Sequence, residues 1–180
     1  MELKMRFFIF LTSFLGCAFV TQLSFASNGA IENHSGERMA QFKIPTNSEI
    51  ITLNESHIDQ LIASVSTVGH LEGFRLVAEN SIFNTTHFMD VDLTAADLRN
   101  SLWSQNIFDT LDMREADLRG SQFSGNQIYN CNFDRADIRG AKFLDVGFTS
   151  CSFSAAIYDN NTQLPFDPGS MPGMGMIYAP

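Results

Sequence analysis

From Ser81 to Asn160 a large apolar residue returns at every fifth position without a break. The series runs Phe83, Phe88, Leu93, Leu98, Trp103, Phe108, Met113, Leu118, Phe123, Ile128, Phe133, Ile138, Phe143, Phe148, Phe153, Tyr158. Two places before most of these stands a small or short polar residue, among them Ser81, Ala96, Ser101, Ala116, Ser121, Cys131, Ala136 and Cys151. A helix repeats at 3.6 residues and a strand at two, so a period of five belongs to neither. It calls for a coil built of short segments.

A second period of twenty overlies the first. Thr94-Ala-Ala-Asp-Leu-Arg-Asn100 is echoed by Arg114-Glu-Ala-Asp-Leu-Arg-Gly120 and by Asp134-Arg-Ala-Asp-Ile-Arg-Gly140. Four five-residue sides then close one turn, and residues 81–160 supply four stacked coils. Within each side three residues alternate in, out, in, as an extended segment does. The other two turn the corner and are rich in Gly, Asn, Asp, Ser and Thr, which suit turns. One inward column should hold Phe83, Trp103, Phe123 and Phe143 at the roughly 4.8 Å spacing of paired strands.

These residues resemble the pentapeptide-repeat family, whose motif is approximately Ala-(Asp/Asn)-Leu-X-X. Ala96-Asp-Leu-Arg-Asn100, Ala116-Asp-Leu-Arg-Gly120 and Ala136-Asp-Ile-Arg-Gly140 carry the match. The resemblance implies an all-β fold, a right-handed quadrilateral β-helix of about four coils. It implies little about activity, because a repeat architecture serves unrelated tasks.

Upstream, a short basic start is followed by the apolar run Phe7 to Val20 and by Ser24 and Ala26 at cleavage-site spacing. Residues 1–26 therefore read as a secretory signal peptide. An uncleaved anchor or a buried helix is the plainer alternative, and lipidation at Cys17 within Leu15-Gly16-Cys17 ranks below simple cleavage. Loss of Glu2, Lys4 and Arg6 takes the formal charge from −9 to −10 and leaves no basic cluster, so nucleic acid is not expected as a partner. Residues 27–50 read as a polar, disordered leader. Ile58, Leu61, Ile62 and Val65 fall on one helical stripe, with Thr52 and Glu55 as a capping box and Gly69 as a stop. A short N-terminal helix and an irregular first side are accordingly expected over 51–80, closing the open end of the solenoid.

The chemistry of enzymes is missing from the pattern. His34, His57, His70 and His87 share no ligand spacing, no Gly-rich phosphate loop is present, and no cofactor or metal is expected. The Asp column (Asp97, Asp117, Asp137) beside the Arg column (Arg99, Arg119, Arg139) reads as a solvated ion-pair ladder more readily than as a recognition strip. Cys131 and Cys151 stack in one inward column, and a strand spacing wider than the Cβ separation of a disulfide predicts two reduced thiols. Met171, Met174 and Met176 in the tail over 161–180 suit an apolar flap, with Cu(I) ligation as the sharper alternative.

One outward feature stands apart. The position before each large residue is mostly polar on the third and fourth sides (Asp92, Asp112, Asn132, Ser152, Asp97, Asp117, Asp137) but apolar at Ile82, Leu102 and Ile107, and Met89 lies just past its own core position. These four define a candidate patch for a protein, an envelope component or a second copy of the chain, unless the leader's Met39, Phe42 and Ile44 fold back over it. The expected function is a non-enzymatic, periplasmic or secreted scaffold. The family offers an alternative, a DNA-mimicking protein that occupies a topoisomerase, from which the signal peptide, the short run of four regular coils and the interleaved arginines depart.

Overall fold

The computed structural model describes Ser24–Phe25, Ala30–Glu32, Arg38–Met39, Phe42–Lys43, 48–54, His57–Ile58, 61–166 and 174–180, with backbone alone before Ile51 and at 64–66. Short strands pair in parallel with the strand twenty residues on: Leu102–Ser104 with Gln122–Ser124, Gln122–Ser124 with Lys142–Leu144, and Ile107–Phe108 with Gln127–Tyr129. The result is an all-β parallel solenoid with four sides per turn. Side one carries 102–104, side two 107–108, side three Leu111–Asp112, and side four a single bridged position, Asp97 under Asp117 under Asp137.

Burial follows the five-residue phase. From Ile51 to Ala156 every buried residue has a number ending in 1, 3, 6 or 8, the two inward positions of each block. Phe83, Trp103, Phe123 and Phe143 form one continuous stack, with neighbouring rings 3.8, 5.3 and 4.6 Å apart and within 11° of parallel. Each such side chain contributes about 1.5–3 kcal/mol of burial before chain entropy is set against it. The polar residues in the interior are all bonded to backbone: Ser101 Oγ donates to Leu98 O at 2.6 Å, and Asn126 Nδ2 donates to Trp103 O at 2.8 Å. Asn126 Oδ1 in turn accepts from Asn106 N at 2.8 Å, which removes the cost of an unpaired buried amide.

Corners explain the Asp of the motif. The last residue of most blocks has positive φ, even Ala95 (57°), Gln105 (54°), Glu115 (60°) and Arg135 (60°), so the chain turns sharply there. The residue before the large one closes the turn as an acceptor: Thr94, Arg114 and Arg139 donate their N–H groups to Asp92, Asp112 and Asp137 at 2.9, 3.1 and 3.2 Å. Asn132 serves equally, accepting from Asp134 N at 2.9 Å. Asx side chains are suited to this task.

The N-terminal end departs from expectation. In place of the helix expected over 51–80 run the strands Ser48–Thr52, His57–Ile58 and Leu61–Glu72, and the described residues there contain no helix. Leu71 pairs with Val91 and Ile51 with Leu71, so the coil continues upstream to about six turns where about four were expected. The two inward positions have exchanged sizes: Leu61 precedes Ala63, Leu71 precedes Gly73 and Leu76 precedes Ala78. A Cβ on Gly73 would lie 2.7 Å from Leu93 Cδ2, so even an alanine there would oblige the Leu93 side chain to shift. Ile58 and Leu61 obey both the helical stripe and the five-residue phase, but Ile62 is outward, and Gly69 lies within a strand instead of stopping a helix. Thr52 is in a strand, and Glu55 lies outside the described residues.

Cys131 and Cys151 are joined by a disulfide, contrary to the expectation of free thiols. Their Cα atoms are 4.4 Å apart, inside the range a disulfide accepts. Equivalent side chains in a parallel in-register stack leave the backbone in the same direction, so rotation about Cα–Cβ brings the sulfurs together although the strands themselves cannot approach further. Met176 is buried and Met174 packs against the core, as a flap requires, while Met171 lies outside the described residues. The stretch 1–26 expected to be a signal peptide, Cys17 included, falls outside them too, apart from Ser24–Phe25, which pairs antiparallel to Ala30–Glu32.

Candidate interaction surface

The five-residue phase turns Leu102 and Ile107 outward on adjacent sides, and both are 43% exposed; Met89 is 49% exposed and Ile82 half-buried. Ile82 pairs with Leu102, and Ile62 pairs with Ile82 on the preceding coil, so three aliphatic side chains share one outward column. Ile107 pairs with His87 before it and Gln127 after it, which places Met89 diagonally beside it around the second side. Towards the C-terminus the columns become polar at Gln122, Gln127 and Lys142, with Tyr129 and Leu144 as further exposed apolar groups. The sequence alone does not reveal Ile62 as part of this column, because it also falls on the helical stripe with Ile58 and Leu61.

The leader does not lie over this patch where it is described. Phe42–Lys43 pairs with Leu61–Ile62 and Arg38–Met39 with His57–Ile58, both in parallel, so these residues extend the coil at its N-terminal end. Ile44 lies outside the described residues.

The other two sides are laced with charge. Arg99 Nη2 bonds Asp97 at 2.7 Å and also Glu79, and its Nε lies 3.8 Å from Asp117. Arg119 joins Asp117 at 2.5 Å and Asp137 at 3.8 Å, and Arg139 joins Asp137 at 2.6 Å. Hydrogen bonds donated to these aspartates, together with the carboxylates' charge, hold Arg99, Arg119 and Arg139 above the ordinary arginine pKa. The ladder sets three arginines against four carboxylates and is partly exposed, so its net worth is small. The open groove of 460 Å³ by Thr94, Asn132 and Asp134 offers no free cation, because Arg114 is held by Asp112 and Arg135 by Glu115.

His70 and His87 take carboxylate partners, Asp90 with Glu72 and Asp109 respectively. Among the described residues no group of three His, Cys, Asp or Glu is placed to hold a metal ion, and no helix is long and apolar enough to cross a membrane.

The sequence family described as Pentapeptide repeats matches residues 86–125 and 116–154, with eight copies. The solenoid of residues 86–154 is a pentapeptide-repeat solenoid. Among solved structures, the pentapeptide repeat protein alr5209 from Nostoc Pcc 7120 is 21% identical, with 57% of this chain and 81% of that one covered and a TM-score of 0.29. QnrB1, a plasmid-mediated fluoroquinolone resistance protein, is 18% identical, with 80% and 92% covered and a TM-score of 0.34. Likeness at these scores says nothing of what this chain's repeats bind. No curated protein sequence matches the chain.

Proposed function

We propose that this pentapeptide-repeat protein is a non-enzymatic, extracytoplasmic scaffold that presents the junction of sides one and two, centred on Leu102 and Ile107, to a protein or an envelope component. The carrying observation is the contrast between sides. On the coils from Asp92 to Arg139, ion pairs and turn acceptors occupy the outward positions of sides three and four, whereas Met89, Leu102 and Ile107 are exposed with nothing in the described chain over them. A contiguous exposed apolar cluster with a polar surround is what a protein-binding surface requires. The apolar run and cleavage-site residues at 7–26 support export, and a bridged Cys131–Cys151 pair fits an oxidising compartment.

A DNA mimic needs a face of unopposed negative charge. Side four instead alternates Asp with Arg at every coil from Asp97 to Arg139. The topoisomerase reading therefore draws no support from the ladder.

Three measurements test the proposal. Fractionation of the native host with N-terminal sequencing should find a mature chain starting at Ser27 outside the cytosol. Leu102→Lys with Ile107→Lys should keep the circular dichroism of the wild type and lose its capture of an envelope protein. A gyrase supercoiling assay should show no effect at stoichiometric protein. A cytosolic protein that begins at Met1 and inhibits gyrase would overturn the proposal in favour of the DNA mimic.

A further inference from the structure

We propose that the Cys131–Cys151 bridge is a thiol–disulfide latch on the last coil and the C-terminal cap, so that the chain completes its closure only after its thiols are oxidised. The bridge stands where the solenoid's own pairing thins. On side three, Leu71–Glu72, Val91–Asp92, Leu111–Asp112 and Cys131–Asn132 pair two residues deep from coil to coil. Between the last two coils that pairing shrinks to the single bridge Asn132 to Ser152, with Ser152 N to Cys131 O at 2.9 Å and Phe133 N to Ser152 O at 2.8 Å.

Burial falls off at the same place. Val91, Leu111 and Cys131 are each at most 3% exposed, whereas Cys151, Phe148 and Tyr158 are only partly buried. The coil that carries Cys151 is nevertheless the floor of the cap. Phe166 meets Phe148 and Phe153 at 6.4 and 5.9 Å, Ala155 N donates to Gly175 O at 2.7 Å, and Ile177–Tyr178 pairs with Ile157–Tyr158. A covalent tie across one coil limits how far this floor can separate from the stack beneath it.

The same geometry makes the bond exchangeable. Cys151 is the more exposed partner and Cys131 is buried, so exchange with a small disulfide or thiol begins at Cys151. Glutathione disulfide serves as oxidant. The Cys151 thiolate attacks one of its sulfurs, forming a mixed disulfide and releasing one glutathione thiolate. The Cys131 thiolate then attacks the Cys151 sulfur and releases the second. Two protein thiols lose two protons and two electrons, and one glutathione disulfide becomes two thiols.

The latch is tested on the purified full-length mature protein equilibrated with glutathione at a series of reduced-to-oxidised ratios. Mass with and without alkylation reads the bond, and hydrogen exchange reads the coils. The oxidised form should be two hydrogens lighter and refuse alkylation. Reduction should speed exchange about tenfold or more over residues 147–166 and 174–180 while leaving 86–128 unchanged. Cys131→Ala with Cys151→Ala should exchange like the reduced wild type; should that variant fail to fold, reduction of the wild type alone decides. Two alkylatable thiols in the air-equilibrated protein, or exchange that ignores the state of the bond, would overturn the latch. A working latch in a protein found in the cytosol would instead sink the export reading alone.

Discussion

Trp103 lies flat on Phe83, ring centroids 3.8 Å apart and planes 9° from parallel. Phe123 covers its other face at 5.3 Å, so the indole is held in the middle of an aromatic column. Its Nε1 has no hydrogen-bond partner. Trp103→Ala should therefore cost about 3–5 kcal/mol through the cavity it leaves. Trp103→Phe keeps the stack, leaves a smaller cavity and removes an unpaired buried donor, so it should cost clearly less than Trp103→Ala. Urea unfolding of both variants checks the pair; equal costs would show that the column does not stack as described.

Asp137 has two tasks that substitution separates. Its Oδ1 accepts the Arg139 N–H at 3.2 Å, and its carboxylate pairs with the Arg139 guanidinium at 2.6 Å. Asn132 performs the first task without charge. Asp137→Asn should thus cost less than about 1 kcal/mol, and less again in 1 M salt. Asp137→Ala should cost about 1–2 kcal/mol whatever the salt, because the corner N–H loses its acceptor. Thermal melts at two ionic strengths distinguish the tasks, and a salt-dependent Ala variant would mean that charge alone matters.

His70 carries a carboxylate on each ring nitrogen: Asp90 Oδ2 lies 2.8 Å from Nδ1 and Glu72 Oε1 lies 3.1 Å from Nε2. Burial pulls its pKa down, but the hydrogen bonds and charges of Glu72 and Asp90 outweigh that and raise it above 6.5. A folded-state pKa above the unfolded one contributes stability that is complete below about pH 6.5 and fades as pH climbs through the folded value. The stability gap between wild type and His70→Gln should be widest near pH 5.5 and should narrow by pH 8.5. Urea midpoints at the two pH values measure it; a gap that widens with pH would contradict the pairing.

How far the sequence could be read depended on which signal was unique. An apolar residue at every fifth place from Phe83 to Tyr158 admits only one phase, so the inward columns and the outward direction of Leu102 and Ile107 were legible directly. Upstream of Ser81 the large and small inward positions trade places at Leu61 and Ala63, Leu71 and Gly73, and Leu76 and Ala78, and Ile58, Leu61, Ile62 and Val65 also satisfy a helical stripe. Local periodicity could not choose between them; stacking against Val91 and Leu93 does. The disulfide was misjudged because strand spacing was compared with the Cβ separation, although a Cα separation of 4.4 Å already permits the bond. In the sequence the Asp column reads as charge, and the role of Asp97, Asp117 and Asp137 as the acceptors that close the corners of side four is visible only with the backbone geometry.

The scaffold account is tested most directly by asking which side of the solenoid touches something in the native host. A photo-reactive residue placed at position 102 probes the apolar junction, and one at position 114 probes the charged side three. The account predicts a discrete protein adduct from position 102 that disappears when Ile107→Lys is added, and no such adduct from position 114. Capture from position 114 alone, or equally from both positions, would contradict it.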